Sequence, residues 1–169
     1  MTTFSLRSVR LRSGESYRDE REVQLDPIVL GGQRYLPVPG NVTADFTVSR
    51  ASTGTVFELE FRTRLHGPCY RCTRDAVVER SVSAREYQAA SPGESDELRT
   101  PYVAHDVLDL SAWARDALVL ALPDKILCRP DCAGLCPVCG RDLNEEPHEH
   151  PAREPDPRWA ALAELRDRL

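Results

Sequence analysis

Residues 41–66, NVTADFTVSRASTGTVFELEFRTRLH, decide the fold. In their first part Val42, Ala44, Phe46 and Val48 alternate with Thr43, Asp45, Thr47 and Ser49, the period-two pattern of a strand with one buried face. After the turn-forming ASTG at 51–54 the alternation resumes through His66, with Phe57, Leu59, Phe61 and Leu65 inward and Glu58, Glu60, Arg62 and Arg64 outward. Two such runs around a short turn predict a hairpin. A third run, Asp75 to Tyr87, keeps Ala76, Val78, Val82 and Ala84 in phase, although Arg80 breaks the stripe. The three together predict an antiparallel meander, with residues 67–74 as the turn between its last two strands.

Outward from the meander the pattern changes. Upstream, FSLRSVRL admits a strand, SGESYRDERE is polar and GGQRYLPVPG is rich in turn formers, so the first forty residues give no firm element. Downstream, AASPGESDELR at 89–99 is acidic and carries a proline, which predicts a surface loop. In DLSAWARDALVLALP, Leu110, Trp113, Ala114, Ala117, Leu118, Ala121 and Leu122 recur at helical spacing. Asp109 or Ser111 can cap this helix and Pro123 ends it, and its apolar stripe is expected to pack on the meander. A last helix is predicted in DPRWAALAELRDRL, with Asp156 as N-cap, Pro157 in the first turn and Trp159, Leu162, Leu165 and Leu169 on one side. The expected fold class is α+β: an antiparallel β-meander packed against an amphipathic helix, with a Cys-rich zinc-binding segment and a C-terminal helix. The expected organisation is a β-rich core over 1–127, a Cys/His segment over 128–150 and the last helix over 151–169, all one domain.

Length and charge narrow the function classes. A chain of 169 residues can bury a hydrophobic core without cross-links. No apolar run approaches the roughly 20 residues that span a bilayer, and MTTFSLRSVR lacks the apolar centre of a signal peptide, so a cytoplasmic protein is expected. A formal net charge of -5 argues against coating nucleic acid by phosphate neutralisation alone. The arginines Arg62, Arg64, Arg71 and Arg74 form a local basic patch, read either as a partner surface or as a solvated face.

Six cysteines and a histidine pair carry the chemistry. Cys69 and Cys72 lie in GPCYRC at the predicted hairpin turn, Cys128 and Cys132 in CRPDC, Cys136 and Cys139 in CPVCG, and His148 and His150 follow as HEH. In a reducing compartment such short spacings point to metal rather than disulfides. Eight ligands complete two tetrahedral zinc sites, both closed and therefore structural. Three partitions are open. One joins Cys69, Cys72, Cys128 and Cys132, leaving Cys136, Cys139, His148 and His150 as a second set. Another makes one site of Cys128, Cys132, Cys136 and Cys139. The third pairs Cys69 and Cys72 with Cys136 and Cys139. The first is preferred because it alone uses every ligand, and because Pro147 favours an extended backbone from which two histidines face one ion.

GPCYRC, LDLSAWARDALVLALP, CRPDCAGLCPVCGRDLNE and DPRWAALAEL, in this order, resemble the YceD-like family, the large ribosomal RNA subunit accumulation proteins. The resemblance covers about residues 40–169, and CAGLCPVCGRDLN is its most specific string. It implies a non-enzymatic cytoplasmic factor supporting large-subunit ribosomal RNA accumulation and ribosome assembly. Its expected partner is that RNA, met by the basic patch, or a basic ribosomal protein, met by an acidic surface. Exchange of cysteine and histidine at the places of Cys128, Cys132, His148 and His150 among similar proteins implies shared metal ligation there. Two other classes stand beside this reading. A zinc-thiolate redox switch would use the same cysteines. An enzyme would need a constellation that His66 and His105 do not supply, since neither has a nucleophile or carboxylate partner at readable spacing.

Overall fold

The computed structural model describes residues 1–91 and 98–151. Contacts divide the chain into two compact units, Met1–Cys132 and Ala133–Leu169, and the division falls between Cys132 and the CPVCG motif.

The expected hairpin is present as β5 (Asn41–Arg50) and β6 (Gly54–Pro68), followed by β7 (Asp75–Ala89). β6 is the backbone of the sheet. It pairs antiparallel with β7 along its whole length, from Gly54↔Ala89 to Pro68↔Asp75. On its other side it meets β5 over Thr55–Phe61 and then β4 (Gln33–Pro37) at Leu65 and His66. The edges are extended by β2 (Ser16–Gln24) on β5 and by β3 (Ile28–Leu30) on β4. Phe46, Phe57, Leu59 and Leu65 are fully buried, and the alternate charged positions Glu60, Arg62 and Arg64 are exposed. The meander is therefore the one expected, set in a larger sheet.

The opening residues supply a second, small sheet. β1 (Thr3–Ser5) pairs with β9 (Val107–Asp109), which pairs in turn with β8 (Val103–Ala104). His105 and Asp106, both at positive φ, make the tight turn between β8 and β9. Phe4 carries the small sheet onto the large one, with its ring 5.0 Å from Phe46 and 5.9 Å from Tyr17.

Helix α1 (Leu110–Ala121) covers the inner face and touches both β7 and β2, with Leu110, Trp113, Ala114 and Leu118 buried. Asp109 caps it by accepting from the Ala112 N–H at 3.0 Å, whereas Ser111 Oγ accepts from the Thr2 N–H. Leu122, the residue before Pro123, is already extended, as proline requires of its predecessor. The last turn of α1 has no basic residue of its own. Arg80 takes that place from β7: its Nε donates to the Ala121 carbonyl at 3.0 Å, which puts a cation at the negative end of the helix dipole. That contact explains the interrupted stripe. The predicted last helix, and residues 92–97 of the acidic loop, lie outside the described residues. Among the described residues no helix is long and apolar enough to cross a membrane.

Candidate metal centres

Strand β6 ends at Pro68, and the chain turns through CYRCTR into β7. The turn is tightly wired. The Cys69 N–H donates to the Arg74 carbonyl at 2.6 Å, and the Thr73 N–H donates back to the Cys69 carbonyl at 3.0 Å. Thr73 has φ 62, the left-handed conformation that closes the loop. The Sγ of Cys69 sits over the turn and accepts from backbone N–H groups. In Ala133–Leu169, CPVCGR repeats the wiring position for position. The Cys136 N–H donates to Arg141 at 2.7 Å, the Gly140 N–H donates to Cys136 at 2.8 Å, and Gly140 has φ 74. A two-residue spacing thus becomes the same cysteine knuckle twice, once with threonine and once with glycine at the left-handed position.

The first knuckle is completed by the chain leaving α1. The Tyr70 N–H donates to the Ile126 carbonyl at 2.8 Å, which brings CRPDC alongside. Cys69, Cys72, Cys128 and Cys132 then lie with their Sγ atoms within 4.8 Å of one another. Cys69 Sγ is 3.8 Å from Cys132 Sγ and Cys72 Sγ is 3.6 Å from Cys128 Sγ, and none forms a disulfide. A tetrahedron with metal–sulfur bonds of about 2.3 Å has edges of roughly 3.8 Å, so the spacing fits one ion among four thiolates. Cys69, Cys72 and Cys132 are at most 2% exposed and belong to the hydrophobic core. Burial alone would raise the Cys69 thiol, but N–H donors from Cys72, Cys128 and Arg71 outweigh it and bring it down to about 6. Desolvation and contacts with Cys72, Cys132 and Cys69 push Cys128 up to about 12. A bound cation would favour the thiolate form of all four. Arg71 helps offset that charge, its Nη1 donating to the Cys132 carbonyl at 2.6 Å.

Behind this knuckle, Gly67 leaves space for a buried ring. A Cβ there would lie 2.4 Å from Tyr35 Cδ1, and the Tyr35 hydroxyl donates to the Pro68 carbonyl at 2.9 Å. The tyrosine braces the last residue before Cys69.

The second group is Cys136, Cys139, His148 and His150, whose ligand atoms also lie within 4.8 Å of one another. Backbone N–H groups of Cys139 and Val138 bring the Cys136 thiol down to about 6 against the opposing effect of desolvation. His148 Nε2 is 3.1 Å from Cys139 Sγ while its Nδ1 meets the Glu146 carbonyl at 2.7 Å. Donating Nδ1–H to a carbonyl leaves the Nε2 lone pair free to accept or to ligate, the arrangement that orients histidine ligands on metals. That carbonyl and the Cys136 sulfur also raise the pKa of His148. The loop between the arms is held by Asn144, whose Oδ1 accepts from the Ala133 N–H at 2.8 Å, and by the Leu135↔Asp142 bridge. Cys136 is buried, but Cys139 and His150 are exposed, so this group is less enclosed than the first.

The structure thus gathers all eight residues, in the grouping of the first partition. Sequence reasoning missed the parts that support them: Tyr35, Gly67, Asn144 and the left-handed residues after each knuckle. Only the glycine of CPVCG signalled its role.

A family model for the large ribosomal RNA subunit accumulation protein YceD matches residues 57–166, a span that includes both ligand groups. Uncharacterized proteins of Mycobacterium bovis and of Mycobacterium tuberculosis strain H37Rv are each 35% identical over 126 residues, covering 72% of this chain and 60% of theirs. One of Mycobacterium leprae is 36% identical over 101 residues, covering 57% of this chain and 46% of its own. The chain therefore spans less than two thirds of these relatives' length. No solved structure matches. On the family match, which takes in most of β6, the helix and both knuckles, the chain belongs to the YceD family of large ribosomal RNA subunit accumulation proteins.

Proposed function

We propose that this chain is a non-enzymatic cytoplasmic factor, held together by two structural zinc ions, that supports accumulation of large-subunit ribosomal RNA during ribosome assembly. The observation that carries the reading is a family match spanning two four-ligand groups with tetrahedral spacing. Cys69, Cys72, Cys128 and Cys132 would hold one zinc, and Cys136, Cys139, His148 and His150 the other. Thiolate and imidazole sets of this kind suit zinc, and neither leaves a ligand position for substrate.

The partner is large-subunit ribosomal RNA or a basic ribosomal protein, and surface charge favours the protein. Of the expected basic patch, Arg64 pairs with Glu79 at 3.1 Å and Arg71 is engaged with the Cys132 carbonyl. Across the outer face, Glu20 stands opposite Asp45 and Asp45 opposite Glu60. Like charges directly opposite are mutually destabilising, so three exposed carboxylates in one row favour a cationic partner. The test is the ratio of large- to small-subunit ribosomal RNA, mature and precursor, in depleted cells rescued by wild type or by Cys69→Ser/Cys72→Ser. A selective large-subunit deficit corrected only by wild type supports the proposal; an unchanged ratio on depletion ends it.

The zinc-thiolate switch suits the second group better, because Cys139 and His150 are exposed there, whereas three of the four thiols of the first group are buried. Stoichiometric zinc release by mild peroxide, reversed by reductant, would favour it over a purely structural role.

A further inference from the structure

The sheet has an outer face, away from α1, and one end of it is apolar. Val29, Leu36, Val38 and Val77 are 69%, 45%, 48% and 52% exposed. The register puts them together. Leu36 stands opposite His66 and His66 opposite Val77, so these three form one row across β4, β6 and β7. Opposite residues on neighbouring strands point to the same side. One row toward the knuckle lie Val29, Arg34 and Asp75, placed by Val29↔Arg34 and Pro68↔Asp75. One row the other way lie Val38, whose N–H donates to the Arg64 carbonyl, then Arg64 and Glu79. A contiguous exposed apolar patch with a charged rim marks an interaction surface.

The arrangement of charge selects the occupant. Along β4 and the residue that follows it the patch reads Arg34, Leu36, Val38; along β7 it reads Asp75, Val77, Glu79. A two-fold axis running along β6 between two facing sheets lays the β4 column of each copy over the β7 column of the other. Leu36 then meets Val77, Arg34 meets Asp75, and His66 meets its counterpart on the axis. Arg64 approaches the axis already neutralised by Glu79 at 3.1 Å. An isologous interface needs both halves of every complementary pair on one surface, and this patch carries them. A basic ribosomal protein would meet Arg34 and Arg64 unfavourably here, and its matching surface is the carboxylate row farther along the strands.

We propose that this face is a self-association surface and that the protein forms an isologous dimer through β4, β6 and β7. The contact is small, so the dimer is weak, with a dissociation constant on the order of 10–100 μM. Sedimentation velocity of the zinc-loaded protein over roughly 1–300 μM should show a monomer–dimer equilibrium in that range. Val77→Asp should weaken it at least tenfold. Arg34→Asp and Asp75→Arg should each weaken self-association, because like charges then face each other across the axis. Mixing those two variants should restore it, because the mixed dimer pairs opposite charges at both positions. All three substituted residues, Arg34, Asp75 and Val77, are exposed, and an unchanged far-UV spectrum and melting temperature would show that each variant folds. A strictly monomeric wild type overturns the proposal, whether or not the face then proves to bind a ribosomal particle. So does a dimer that survives Val77→Asp, or a mixture no tighter than its components.

Discussion

Thr73 and Gly140 hold the same place in two knuckles with the same hydrogen bonds, yet only glycine adopts φ near +60° without strain. A β-branched residue there costs on the order of 1–3 kcal/mol, and in Thr73 the hydroxyl recovers part of it by donating to the Cys72 carbonyl at 2.7 Å. Thr73→Gly is therefore expected to stabilise the protein by about 1 kcal/mol, read as a rise in the urea midpoint at unchanged slope. Gly140→Val should do the reverse to the second group and weaken its retention of zinc against a chelator. The ligands themselves were legible from spacing and number, because cysteine and histidine announce their chemistry. Their grouping was legible only as a preference among three partitions, resting on the one that uses every ligand, because Cys69 meets Cys132 only after the sheet and α1 have brought distant segments together.

At the scale of elements, β5, β6 and β7 were readable because their inward positions are almost all apolar. β2 was not. Its half-buried inward positions Tyr17, Asp19 and Arg21 precede a single buried valine, Val23, so no apolar alternation shows. The structure settles those charges locally: the Tyr17 hydroxyl donates to Asp19 at 2.8 Å, Arg21 pairs with Asp19 at 2.6 Å, and Arg21 lies over the Phe4 ring. The helix was readable from its stripe, but the choice between Asp109 and Ser111 as its cap depended on Thr2 claiming the serine. Asp109→Ala should cost about 1 kcal/mol of stability, whereas Ser111→Ala leaves the cap intact. Comparing the two by thermal unfolding separates capping from the loss of any polar side chain at the helix start.

For the whole molecule, the contrast between the two ligand groups outweighs their likeness. The first is tied into the core through Cys69, Cys72 and Cys132, whereas the second belongs to Ala133–Leu169 and, apart from buried Cys136, is more open, with Cys139 and His150 exposed. Purified protein is expected to carry two zinc ions. Cys132→Ser should lose one ion together with several kcal/mol of stability, by analogy with metal sites whose binding energy is folding energy. Cys139→Ser should lose one ion and leave the main unfolding transition within about 1 kcal/mol of wild type. Metal analysis and calorimetry on the same samples check both.

The same contrast sets an order in time. Cys69 and Cys132 are 63 residues apart, whereas Cys139 and His148 are separated by 9. Closing the longer loop costs about 1.7 kcal/mol more chain entropy. During synthesis the first knuckle emerges with half a site and must wait for the helix and CRPDC to follow, while the last knuckle meets its histidines almost at once. The core group is thus the one that waits longest between its first and last ligands, and a nascent chain starved of zinc is expected to stall with its sheet formed and its core still open at one end.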